Sequence, residues 1–393
     1  MSKARQRSRR TDREIHLPPH CPNRHCRFYR PRAAWKWTRD GFFTRPSDRR
    51  RFQRFRCTAC GRRFSSRTFA GDYWLRQRAL LIRLAELASE GPGLRQSARL
   101  CGVAHSTVGR QLARAGRHCL LFHQKMVLPH RLSEPIVIDG FESFEYSQFF
   151  PFHFHLAVGS RSWFLYHFTE SPLRRKGAMT EEQRARRSEL ESRLGRPDPK
   201  AIEQSVLEIL QLLGRRWDWG RPKYSGQGGN STTTALTLHT DGHPAYRRAI
   251  RRVRVELPGQ LRHVVTSSLE RRTTRNPLFP VNLADLLLRH GQANHRRETI
   301  AFSKRRQAAL ERLAVFTVWR NSVKLRRERQ ADWTAAMAAG ILSKRLSWRQ
   351  VLLRRQFPSR PLLPGTWWEV YWRRVKTAAL GSAQTEHNPK YAF

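Results

Sequence analysis

Apolar and polar positions follow a period of two in the middle of the chain and a helical period on either side of it. Ile136, Val137 and Ile138 are β-branched neighbours, alternation continues through Phe141 and Phe144, and such residues fit a buried strand. Residues 152–158 and 162–168 have the same character, so three strands in succession predict an antiparallel meander. Residues 235–240 and 262–266 add two more strands. Helical spacing takes over elsewhere. Leu75, Leu80, Leu81, Leu84 and Leu87 recur at helical intervals until Gly91-Pro92-Gly93 ends the run. Residues 94–114 then read as two short helices joined at Cys101-Gly102-Val103, a helix-turn-helix pattern. Ser106 or Thr107 is the expected cap of the second helix. Val108 and Leu112 face inward there, and Arg110, Gln111 and Arg114 face outward, towards a major groove. Thr180-Glu-Glu-Gln183 opens a capped, almost wholly charged helix, whereas Ile202, Val206, Ile209 and Leu213 give a second one an apolar face for the sheet. Further helices are expected over 246–253, from Val281 after Pro280, and through Trp319.

Two acids stand where the strand pattern places them next to a core. Glu134-Pro-Ile-Val-Ile-Asp139 delivers Asp139 straight from three apolar residues, and the alternating run ending Leu-His-Thr-Asp241 does the same before Gly242 and Pro244. A turn at Gly140 would explain Asp139 alone. A pair of strand-borne carboxylates points instead to hard oxygen ligands for Mg²⁺ or Mn²⁺. Two such ions roughly 4 Å apart would flank a phosphorus centre during in-line displacement. The Gly226-Gln-Gly-Gly-Asn-Ser231 loop lacks the Lys-Ser/Thr of a phosphate-binding loop and is read as a plain connection.

Charge narrows the partner. Lys plus Arg number 76 against 30 acids, a net charge of +46 with pI near 11.7, which makes nucleic acid the default ligand. The basic residues are spread over the whole length, there is no apolar run of about 18 residues and no signal peptide, so no membrane partner is expected and the protein should be soluble and intracellular. Of six cysteines, Cys21-Pro-Asn-Arg-His-Cys26 and Cys57-Thr-Ala-Cys60 form two tight pairs, favouring a structural Zn²⁺ over disulfides. The wider spacing of the first pair leaves His20 or His25 open as a replacement for one thiolate.

The resulting organisation is a basic arm (1–18), a zinc-ribbon domain (19–70), a helix-turn-helix domain (74–122), an α/β domain (134–325) with a helical insertion (172–223), and a basic, aromatic C-terminal region (326–393). The C-terminal tryptophans would stack on distorted DNA ends or pack a terminal helix on the core.

Several of these blocks carry a family likeness. Asp139-Gly-Phe-Glu-Ser-Phe144, Thr240-Asp-Gly-His-Pro-Ala-Tyr246, Leu288-Arg289 and Thr299-Ile-Ala-Phe-Ser-Lys304, with the Cys57/Cys60 knuckle and the Gly102-Val103 turn before them, resemble bacterial insertion-sequence transposases of the insertion-sequence-one kind. The likeness covers about residues 20–325. It implies an RNase H-like mixed sheet with flanking helices and a DDE site in which Asp139, Asp241 and a third acid on a later helix hold two metal ions. It implies cleavage and transfer of DNA strands at transposon ends, a homodimer or larger homo-oligomer on DNA, and a place on the bacterial nucleoid in the cytoplasm. This chain departs from the family at the third acid: ungapped alignment puts Asn282 where the family has Glu, with Arg289 as the basic partner. Asp285 lies one turn on, on the same helical face, and is the expected substitute, with Asn282 and Glu270 as the other candidates. If none serves, the expectation becomes a DNA-binding regulator derived from a transposase.

Overall fold

The computed structural model describes residues 18–377 apart from 30–32, 47–48, 69, 74, 76, 220–234, 268, 297–298, 328–332 and 357–361. The basic arm up to residue 17 and the Gly226 loop lie outside the described residues. The chain divides into two units, Met1–Arg76 with Arg355–Pro361, and Gln77–Arg354 with Leu362–Phe393.

In the first unit, β1 (Trp37–Thr44), β2 (Arg51–Cys57) and β3 (Arg63–Ser65) form an antiparallel sheet in that order. Phe55 sits opposite Phe64 across the β2–β3 pair, their rings 5.5 Å apart, and Trp37 meets Phe55 edge-on at 5.0 Å. Apart from this aromatic stack the buried apolar residues are mostly cysteines. A core of that size does not hold a fold by burial alone.

The second unit is built on five strands: β4 (Ile136–Phe144), β5 (Pro151–Gly159), β6 (Leu165–Pro172), β7 (Leu236–Thr240) and β8 (Leu261–Val265). Their spatial order is β6-β5-β4-β7-β8. The first three form the antiparallel meander, and β7 and β8 join parallel to β4. Ile136, Val137 and Ile138 are fully buried at the centre, as a strand covered on both faces requires. The helices are α1 (Arg78–Ser89), α2 (Leu94–Cys101), α3 (His105–Val127), α4 (Glu181–Leu194), α5 (Ala201–Arg216), α6 (Pro244–Arg254), α7 (Phe279–Gly291) and α8 (Arg306–Val318), the last running into a π-helical turn, Trp319–Val323. One sheet face carries α5, tied to β6 by Thr169 donating to the Ser205 carbonyl and Ser205 donating to that of Glu170. The Phe141 face carries α7 and the 3₁₀ turn after it. The outer edge of β6 is closed rather than left to pair: Asn321 both accepts from the Leu165 amide and donates to its carbonyl, and the Trp367 indole donates to Phe168.

Leu84, Leu87, Ala98, Val108 and Leu112 make the small core under α1, α2 and α3. The turn after α2 is closed by Gly102 at φ +61°, where an L side chain is strained. The expected cap at Ser106 or Thr107 is replaced: Ala104 is the N-cap of α3 and offers no side-chain bond. The helix also continues past residue 122, and its later turns pack on α8. There Gly116 is required, because a Cβ would lie 2.3 Å from the Glu311 carbonyl oxygen. Thr180 and Gln183 form the anticipated capping box of α4, a helix that buries only Leu190. Trp367 is buried, whereas Trp333 and Trp372 remain exposed. Among the described residues no helix is long and apolar enough to cross a membrane.

Candidate cysteine centre and carboxylate site

The sulfurs of Cys21, Cys26, Cys57 and Cys60 all lie within 4.8 Å of one another, with Cys21 to Cys60 at 3.6 Å and Cys26 to Cys57 at 4.0 Å. Four thiolates around a tetrahedral Zn²⁺ with bonds of about 2.3 Å have S···S edges of about 3.8 Å. The cysteines are therefore close enough to bind a metal such as zinc. Donors already point at the sulfurs: the Asn23 amide at Cys21, the Phe28 amide at Cys26, and the Trp35 indole at Cys57. Burial raises the thiols of Cys21 and Cys26. It acts the same way on Cys57, but the Trp35 N–H and the amides of Cys60 and Ala59 outweigh it and pull that thiol down to about 7. The histidine alternatives fall away. His20 turns Nδ1 to the Cys21 carbonyl at 2.9 Å, and His25 is exposed outside the cluster.

The carboxylate site follows from register. Ile136 pairs with Leu238 and Val137 with His239 across the parallel β4–β7 ladder. Asp139 stands two residues beyond Val137 on β4, and Asp241 follows directly on the end of β7, near enough for its charge to act on Asp139. Asp139 belongs to the sheet face that also carries Phe141. Asp139 accepts its own Gly140 amide at 2.7 Å, and Asp241 accepts the His243 amide at 3.0 Å, a turn that leads into α6. Gly242 is needed in that turn, because at φ +79° a Cβ would also strike Val265 at 2.6 Å. Over this face lies α7, anchored where the Arg289 guanidinium sits 4.3 Å over the Phe141 ring and donates to the His295 carbonyl at 3.3 Å. From α7, Asp285 presents a buried Oδ1 with no hydrogen-bond partner.

The electrostatics tie the three acids together. Burial raises the Asp139 carboxyl to about 6, with Asp241 adding to the rise against the Gly140 amide. Burial and then the charge of Asp139 push Asp285 well above the ordinary carboxylate range. The Tyr246 hydroxyl, on α6, is raised by burial and by Asp139, Asp241 and Asp285 in turn. Arginines oppose this negative field: Arg272 acts on Asp139, and Arg289, Arg272 and Arg320 act on Asp285. No known family model, no characterised protein and no solved structure matches the chain.

The other expected residues separate. Glu270 is exposed and accepts the Ser267 amide at 3.3 Å. Asn282 lies one turn before Asp285 on α7, half-buried. On α3, Arg110 is exposed as expected, Gln111 is half-buried, and Arg114 departs from the outward reading: it is half-buried, and desolvation lowers its pKa. Sequence reasoning gave no role to Tyr246, to His153 and His155 on β5, or to Arg272 and Arg320. The signal for the histidines was alternation. His153 and His155 fall opposite Glu142 and Gly140 in the β4–β5 register, and His153 reaches Glu142 at 3.4 Å.

Proposed function

We propose that the chain is a DDE-type DNA transposase resembling the insertion-sequence-one kind, with a zinc ribbon around Cys21, Cys26, Cys57 and Cys60, a helix-turn-helix at α2–α3, and an RNase H-like core. The observation that carries this reading is that Asp241, just after the parallel strand β7, acts on Asp139 on β4, with Asp285 in their field from α7. A meander followed by two parallel strands on its inner edge supports the RNase H-like fold. The donor set suits Mg²⁺ or Mn²⁺: hard carboxylate oxygens, one of them orphaned, in mutual repulsion that a cation would relieve. Asp139 and Asp241, with Asp285 behind them, would hold the ion, which when bound supplies Lewis-acid polarisation of a phosphate and an acidified nucleophile.

The chain's own residues do the rest. Asp139 and Asp241 fix the reacting region against the rigid centre of the sheet. Arg272 and Arg289 bring positive charge to the same point, and Arg289 is held in place by Phe141 and His295, so it can steady a phosphate without being reorganised. Tyr246 stays protonated and remains a donor. Arg110, exposed on α3, meets DNA, and the +46 charge binds its backbone with strong salt dependence. Two transposon ends call for two protomers, so the working form is a homodimer or larger on DNA, in the bacterial cytoplasm at the nucleoid.

The test is nicking of duplexes taken from the sequences flanking the gene, in Mg²⁺, by wild type and by D139A and D241A. Activity in wild type alone supports the proposal, and equal activity in all three refutes it. Asn282, standing where the family has Glu, favours a second reading, a DNA-binding regulator that does not cut. Binding of the same duplexes with no nicking by wild type would select it.

A further inference from the structure

Between Trp37 and Cys57 the chain carries seven arginines against two aspartates, on the hairpin that β1 and β2 form with their turn. Asp40 is taken up by Arg63 of β3 at 2.9 Å. Among the described residues Arg39, Arg49, Arg51, Arg54 and Arg56 are exposed, and none of them is paired with an acid. A ribbon so one-sided in charge is complementary to a polyanion. Arg49 in the turn holds φ +50°, a left-handed conformation that glycine or asparagine adopts with less strain, so the turn keeps a cation against its local preference.

Aromatic rings interleave with these cations. Phe43 and Phe52 pair across the strands with rings 5.6 Å apart, under the guanidiniums of Arg54 and Arg67 at 5.3 and 5.0 Å. Both rings are half-buried, and Arg67 is buried against Asp72, so that side of the hairpin is filled. Phe42 differs. The register shifts by one residue between Arg39 and Phe42, with Gly41 at φ +65°, and such a bulge re-aims the side chains that follow it. On a regular strand Phe42 would share the face of Thr38, and Phe43 that of Arg39. The inserted residue exchanges them, setting Phe43 against Phe52 and turning Phe42 to the Arg39 side. There Phe42 is 49% exposed, with the Arg51 guanidinium 4.2 Å from its ring centroid. A lone exposed phenylalanine means little; this one is turned outward by a built irregularity and set among unpaired cations.

We infer that the β1–β2 hairpin is a stacking site for single-stranded DNA, in which an unpaired base lies on the Phe42 ring beside the Arg51 guanidinium and Arg39 and Arg49 hold the flanking phosphates. Binding of unpaired strands needs an accessible π face within a cationic groove or ribbon, and the hairpin supplies both. A duplex hides its base faces in the stack, so it can use the arginines but not Phe42. The inference rests on the DNA-binding part of the reading above and is independent of the carboxylates.

The experiment is a fluorescence-anisotropy titration of the zinc-loaded full-length protein against three probes of equal length: oligo(dT), a strand of abasic spacers with the same charge, and a mixed-sequence duplex. F42A should weaken oligo(dT) binding about tenfold, the order of one lost base–aromatic stack. It should leave the slope of affinity against salt as it was, and binding of the abasic strand and of the duplex within about twofold. F42W should bind oligo(dT) like wild type, whereas F42L, which keeps the bulk without the π face, should bind like F42A. R39M with R49M should weaken oligo(dT) and the abasic strand alike and flatten the salt slope by about 0.7 for each cation. The inference is overturned if F42A binds oligo(dT) as tightly as wild type, if it loses affinity equally for all three probes, or if F42L restores binding. Should F42A fail to fold, F42L against F42W decides alone. Wild type that binds none of the probes would remove the DNA-binding reading itself, and this inference with it.

Discussion

Asp139→Asn removes a charge that the fold does not want. The substitution keeps the side-chain volume and the Oδ1 acceptor for the Gly140 amide, so the lost charge is the main change. Burial and the neighbouring Asp241 raise this carboxyl from 3.8 to about 6 in the folded chain. Two units at about 1.36 kcal/mol each put the cost of ionising Asp139 in the native state at about 3 kcal/mol at pH 7. The sign follows from proton binding. Between about pH 4 and pH 6 the native state holds this proton more tightly than the unfolded chain, so stability falls as pH rises through that window and the loss is complete above it. D139N should therefore be more stable than wild type by about 3 kcal/mol at pH 7 and by roughly half that at pH 5. Urea denaturation followed by tryptophan fluorescence, with zinc present and Mg²⁺ withheld, reads the difference at both pH values. A gain of the same size at pH 5 and pH 7, or a less stable D139N at pH 7, would refute the reasoning. Saturating Mg²⁺ should narrow the gap, because the cation relieves in wild type the repulsion that the substitution removes.

Other consequences are as specific. Burial holds His123, His155 and His295 at about 3 and His118 at about 4, below their ordinary 6.5. Their contribution is full above pH 6.5 and is lost as pH falls, by about 2 kcal/mol each at pH 5, so circular dichroism should show cooperative acid unfolding well above pH 4. Cys57→Ser or removal of zinc should unfold the N-terminal sheet, since structural zinc is worth about 10 kcal/mol or more in small domains; native strand signals in a chelated protein would contradict this. Arg110→Ala should weaken specific DNA binding by about 1–3 kcal/mol in a mobility-shift titration, and Arg114→Ala by less, because Arg114 is half-buried.

Most strands and helices were legible because their apolar spacing is strong. The first two meander strands, α5 and α6 appear where Ile136 to Val158, Ile202 to Leu213 and Tyr246 to Val253 placed them, whereas the third strand, expected over 162–168, runs over Leu165–Pro172. The cysteine centre was legible for the same reason that it forms, two tight pairs in a stretch too poor in apolar residues to fold by burial. Other features depend on partners distant in sequence. Nothing local marks Ala104 as the start of α3, because the cap carries no side-chain bond there. The half-burial of Arg114 arises because α3 runs on into packing with α8, and outward facing on one helix does not reveal what a second helix covers. Asp285 was the expected third acid, with Asn282, which carries no charge, and Glu270 as the other candidates. Only the seating of α7 over β4 separates it from Asn282 one turn earlier and from Glu270 in the preceding segment.

The packing of α8 links the two halves of the proposed activity. The middle of α8 receives α3 at Gly116, with no space for a Cβ against the Glu311 backbone, and its C-terminal end runs into the π segment that carries the buried Arg320. A side chain at 116 must push the helices apart, at about 1–3 kcal/mol for an overpacked core, and α8 cannot shift without moving the turn that follows it. Gly116→Ala should therefore lower stability by that amount in denaturant titration and also weaken Mn²⁺ binding. Arg110→Ala, at the exposed beginning of the same helix, should reduce DNA affinity and leave Mn²⁺ binding as it was. If Gly116→Ala destabilised the chain with the Mn²⁺ affinity untouched, α8 would be a structural strut only, and the helix that meets DNA would be mechanically independent of the acids.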